Sequence, residues 1–186
     1  VMALTGLALV GFVVIHLLGN LQLLLPDGGA RFNLYGHKFE ELGPLFYVIE
    51  WGLFLVILLH AIIGAALWKA SADARTTRYA VAETKGGNSH WNLSSGHMLL
   101  LGVVLLVFIV VHVLQFRYSA FNKPMQYVVI DGTQVRDLYG LVVQTFTTPG
   151  WVLFYTGAMF FLGFHLRHGI WSMFQSIGAM PSDYSN

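Results

Sequence analysis

Apolar residues fall into four long runs separated by polar connections. The first run covers about 1–25 and stops at Pro26-Asp27-Gly28-Gly29, where proline and paired glycines break a helix. The second covers about 44–68, with LFLVILLHAIIGAAL at its centre. Trp51 and Trp68 stand towards its two ends, as interfacial aromatics do. The third covers about 92–116, with Asn92 or Ser94 placed to cap its start. The fourth covers about 149–177 and opens on Pro149, which a first helical turn tolerates because the lost N–H has no intrahelical partner there. A helix needs roughly 20 residues to cross a bilayer, and each run supplies about that many or more. The pattern predicts an all-α transmembrane helical bundle with four spans, a single domain over 1–186. Between the first two runs, ARFNLYGHKFEELG reads as a short amphipathic piece at the membrane interface. The connection over 69–91 reads as a polar loop. The longest connection, 117–148, holds YVVI followed by Asp131-Gly132; it reads as a small hairpin or a partly helical re-entrant piece.

Composition agrees with the pattern. Of 186 residues, 56% are hydrophobic and 10% charged, against about 25% charged in a soluble domain, and mean hydropathy is +0.65. A membrane β-barrel would show short alternating segments instead. The chain has no cysteine, so it cannot itself hold iron–sulfur clusters, thiolate zinc or disulfides. A formal charge of +1 gives no field for nucleic acid. Val1 opens inside an apolar run with no initiator methionine and no cleavable signal, and the sequence stops soon after the fourth run; further segments are expected on either side. Let side A be the side of the 69–91 connection and side B the other. Side A receives Lys69, Arg75, Arg78, Lys85 and Arg167; side B receives Arg31, Lys38, Arg117, Lys123 and Arg136. The balance of positive charge does not orient the chain.

Each run carries one deep histidine: His16, His60, His112 and His165. An imidazole inside a membrane is costly without a partner and marks a functional site by default. Four spans alternate in direction, so depth can be read from the distance to each span end. At 1.5 Å per residue, His16 and His112 lie roughly 6–14 Å below side B. His60 and His165 lie in the side-A half. The histidines therefore pair as His16 with His112 and His60 with His165. Two bis-histidine centres stacked across a membrane suit two haems, since two axial imidazoles leave no open position for oxygen chemistry. Small residues stand beside three of them: Gly19 after His16, Gly64 after His60 and Gly169 after His165. They would let a flat porphyrin approach the helix. Two competing explanations remain at this level. A lone membrane histidine is often simply hydrogen-bonded to its neighbour, and a transporter can use histidines as a proton relay. The two-layer arrangement disfavours a site of three or four histidines in one layer.

The segments MALTGLALVGFVVIHLLGNLQL, LLHAIIGAALW, SSGHMLLLGVVLLVFIVVHVLQFRY and FHLRHGIWSMF together resemble the cytochrome b membrane-anchor subunit of succinate:quinone oxidoreductases. The resemblance is to the one-chain, two-haem type of succinate dehydrogenases and fumarate reductases, and covers nearly the whole chain. It implies two b-type haems passing electrons between an iron–sulfur subunit, itself served by a flavoprotein subunit, and a membrane quinone, usually menaquinone. It places the chain in the bacterial cytoplasmic membrane, with the N-terminus and side A cytoplasmic. The chain alone would then not oxidise succinate. His60 and His165 would bind the proximal haem iron, and His16 and His112 the distal one. His165 is preferred to His168 because the family's ligand sits in an FH…G-[IL]-W context. Lys69, His90, Trp91, Ser95, His97 and His168 would serve the proximal propionates, though interfacial snorkelling explains each equally well. Arg117, with Arg136, would serve the distal propionates. Glu50 would exchange protons with the quinone, with Glu40 and Glu41 as competitors. His37 has no assigned role. The alternatives are the dihaem anchor of another quinone-linked dehydrogenase or hydrogenase, and the proton-relay transporter. Two departures stand out. The family's fifth span is not in this sequence. A glutamate that some fumarate reductases carry two residues before the fourth-span ligand is Gly163 here, so that proton route is expected to be missing.

Overall fold

The computed structural model describes residues 1–74, 97–121 and 124–179. Among them are six α-helices, one short 3-10 turn and one hairpin. Helix α1, Met2–Asn20, runs into the 3-10 turn Leu21–Leu24, and α2 follows over Ala30–Glu40. Helix α3 is Pro44–Asp73 and α4 is Met98–Phe116. Strands β1, Tyr127–Ile130, and β2, Thr133–Arg136, precede α5, Leu138–Phe146, and α6, Pro149–Ser176. The spans built on α1, α3, α4 and α6 are long and apolar enough to cross a membrane. Their outer faces carry large apolar side chains fully in the open, such as Leu153, Phe160 and Trp51. Lipid is as apolar as leucine, so such faces need no protein cover.

The four spans pack as a ring. Close neighbours are α1–α3, α1–α6, α4–α6 and, less extensively, α3–α4. The pairs α1/α4 and α3/α6 therefore lie on the diagonals.

The two side-B connections build one cap. Asp131-Gly132 turns the expected hairpin, with Tyr127 opposite Arg136 and Ile130 opposite Thr133. Both turn residues have positive φ, 50° and 80°, as a tight two-residue hairpin turn requires. Asp137 caps α5 by accepting from Gly140 N at 2.9 Å. It also accepts from Asn33 Nδ2 at 3.1 Å, while Asn33 Oδ1 accepts from Tyr139 N at 2.8 Å. That two-way lock ties α2 to α5. Arg136 is buried and donates to the carbonyl oxygens of Phe116 at 2.6 Å and Arg117 at 3.3 Å, and to Ser119 Oγ at 3.0 Å. A cation on the last carbonyls of α4 satisfies acceptors that a helix end leaves open. Burial pushes the Arg136 guanidinium down from its ordinary value, with Glu40 opposing the shift; it stays charged at any physiological pH.

Two expectations need adjustment, and a third lies outside what the structure describes. Helix α3 runs beyond Trp68 to Asp73, where Lys69 and Asp73 pair across one turn. The 117–148 connection contains the hairpin and a helical piece together, where the sequence offered them as alternatives. Asn92 and Ser94 lie outside the described residues.

Candidate functional site

The structure brings the four deep histidines together in two pairs, one on each diagonal of the ring. The imidazoles of His16 and His112 have centroids 5.8 Å apart and planes at 89°. Those of His60 and His165 are 6.3 Å apart at 70°. Among the described residues, no group of three or more metal-ligating side chains converges. The pairs stand at different heights. Gly6, ten residues before His16 on α1, lies against His60, and Gly102, ten before His112 on α4, lies against His165. Ten helical residues separate the two levels by about 15 Å.

The pairs fit a metal held between two imidazoles. A metal–nitrogen bond of about 2 Å on each side, with about 1.1 Å more to each ring centre, puts the centroids about 6.2 Å apart. Both pairs fall within about half an ångström of that. The interplanar angle does not discriminate, because axial imidazoles rotate about their shared axis. In each pair one ring nitrogen, Nδ1 of His112 and of His165, is buried without a hydrogen-bond partner. Buried polar atoms are rarely left so.

The two surroundings differ. Phe12 stacks on His16 at 5.4 Å, and Phe108 stacks on His112 at 5.7 Å. Phe116 and Tyr155 close on His112 at 5.2 and 6.1 Å. The Tyr155 hydroxyl donates to Gln115 Oε1 at 2.8 Å, and Gln115 is wholly buried. Around the other pair the lining is small or hydroxylic. A Cβ on Gly6 would meet His60 at 3.5 Å and one on Gly102 would meet His165 at 3.8 Å. Thr5 Oγ1 lies 3.1 Å from His60 Nδ1. A Cβ on Gly169, one turn beyond His165, would meet nothing within 4 Å.

The glycines are thus only partly as read from the sequence. Gly169 does leave open space beside its histidine. Gly19 does not: its face is filled by the Tyr35 ring of α2, so it serves close helix packing. Gly64 faces the end of Met2. Gly6 and Gly102 were missed because each lies ten residues from the histidine on its own helix. The shared ten-residue spacing on α1 and α4 was the signal available.

Glu50 and Arg117, given separate roles by the sequence, form one pair. Arg117 Nε donates to Glu50 Oε1 at 2.8 Å, and its guanidinium lies 5.2 Å from the Phe46 ring centre. The bond to Glu50 raises the Arg117 pKa, with burial opposing. Arg117 is five residues beyond His112, about 7.5 Å along the axis, so the pair flanks the His16/His112 level on side B. Arg136 is engaged with the end of α4 as described. His168 stands on α6 three residues beyond His165, half-buried; Lys69 is exposed and paired with Asp73; His97 stands at the exposed N-terminal boundary position of α4, with no side-chain capping hydrogen bond to the helix. His90, Trp91 and Ser95 lie outside the described residues. A recess of about 410 Å³ lined by Gln22, Arg31, Tyr35, His37, Lys38 and Glu41 belongs to the side-B cap, not to either histidine layer.

No family model, curated protein or solved structure matches the chain.

Proposed function

We propose that the chain is the dihaem cytochrome b membrane anchor of a succinate:quinone oxidoreductase in a bacterial cytoplasmic membrane. The observation that carries the reading is the double pairing: two imidazoles face each other across each diagonal, at two levels, at separations that suit one metal each. When bound, a haem between two imidazoles supplies one-electron exchange with no open position for oxygen. His60 and His165 hold the proximal iron, and His16 and His112 the distal one. The phenyl rings of Phe12 and Phe108 keep water from the distal pair and fix its imidazole planes. Glu50 holds the proton exchanged with a quinone oxygen, menaquinone in this reading. Arg117 orients the Glu50 carboxylate through its Nε–H. Succinate chemistry belongs to partner iron–sulfur and flavoprotein subunits, since this chain has no cysteine to hold a cluster.

The test is a reduced-minus-oxidised spectrum of the purified membrane protein with haem-to-protein stoichiometry. Two low-spin b haems per chain, reducible by succinate when partner subunits are attached, support the reading. Two haems reduced only through a different partner's substrate point to another quinone-linked anchor. No haem in protein purified under retaining conditions sinks the cytochrome reading and brings forward the proton relay.

A further inference from the structure

Thr5 sits one turn into α1, and its hydroxyl lies 3.1 Å from Nδ1 of His60, on the neighbouring span. The same hydroxyl is within 3.0 Å of the Met2 carbonyl oxygen and 3.3 Å of that of Val1. A hydroxyl has one proton to donate and two lone pairs to offer. Threonine in a helix commonly gives its proton to the carbonyl three or four residues earlier. With the proton directed there, only a lone pair faces His60. The imidazole must then be the donor, so Nδ1 carries hydrogen and Nε2 keeps a bare lone pair.

We propose that Thr5 is a positioning residue: it fixes His60 as the Nδ1–H tautomer and frees Nε2 to face the space shared with His165. This rests on the bis-histidine reading above and deepens it by naming what orients one of the four ligands. A metal-binding histidine usually donates its second ring N–H to an oxygen, which fixes the ring and raises its basicity. The hydroxyl contact sets His60 apart from His112 and His165, whose Nδ1 atoms are buried without a hydrogen-bond partner. A more basic ligand favours the oxidised iron, so loss of the Thr5 oxygen raises the midpoint potential of that centre alone.

The experiment is a redox titration of the two b components in the full complex, with haem stoichiometry and low-temperature electron paramagnetic resonance. His165→Leu identifies the component that belongs to the His60 pair. Thr5→Val removes the hydroxyl and keeps the shape; Thr5→Ala is a second variant without it; Thr5→Ser keeps the hydroxyl and loses the methyl. In Thr5→Val and Thr5→Ala, the His60 component is expected to shift to higher potential, to change its g values, and to lose affinity roughly 10–100-fold. The other component stays, and Thr5→Ser behaves as wild type. Wild-type behaviour in both hydroxyl-free variants overturns the proposal, as does an equal shift in Thr5→Ser, which would show packing alone. Two haems with no Thr5 effect leave the dihaem reading standing and defeat this proposal. No haem in the wild type defeats both.

Discussion

The two histidine layers share a ligand pair and a spacing, and differ in almost everything around them. The His16/His112 layer is clamped by aromatic rings on both histidines, with Tyr155 held in place by buried Gln115. The His60/His165 layer is lined by Gly6, Gly102 and a threonine hydroxyl, with open space at Gly169. The same side chain therefore sits in two unlike surroundings. Hydrogen bonding and polarity around a ligand tune a metal centre, so in the proposed dihaem reading the two centres would differ in potential.

The strongest test of that contrast is to remove one layer at a time. If the dihaem reading holds, His112→Leu is expected to lower haem content from two per chain to one, and the lost component should differ spectrally from the one that His60→Leu removes. Haem extraction and difference spectra of both variants check this; loss of the same component in each would break the pairing. Gly169→Leu should fill the open space beside His165 and displace the haem of that layer while the bundle remains intact, read as one haem per chain with unchanged helical content. Tyr155→Phe should act on the aromatic layer alone. It strips Gln115 of the hydroxyl it accepts from, at a cost of about 1–3 kcal/mol, measured by thermal unfolding in detergent, with the His60 component unmoved. Glu50→Gln is expected to have the smallest structural effect. A half-exposed ion pair is worth about 0.2–1 kcal/mol, yet quinone turnover should fall while both haems stay.

Much of this frame was legible from the chain. Runs of apolar residues gave the four spans, because a bilayer demands continuous helix of a set length. The depth of each histidine gave the two levels, because rise per residue is constant. Asp131-Gly132 marked the hairpin by its turn chemistry. What periodicity could not show were contacts between residues far apart in sequence. The Asn33–Asp137 lock joins positions separated by 104 residues, and neither residue type is unusual in a loop. Glu50 and Arg117 are 67 apart and read as two sites until the ring order of the helices was known. Gly19 looked like clearance for a ligand because a glycine reports a close approach without saying what approaches.

The diagonal placement also bears on the order in which the protein can be made. His16 and His112 belong to the first and third spans, so that pair can close while the fourth is still on the ribosome. His60 and His165 cannot meet until the fourth span has entered the membrane. In the proposed reading, synthesis from the N-terminus would let the aromatic layer load first and would make the second pair the step that completes the ring. In the same reading, a released chain truncated after residue 121 is expected to carry one haem, with the absorption of the His16/His112 centre.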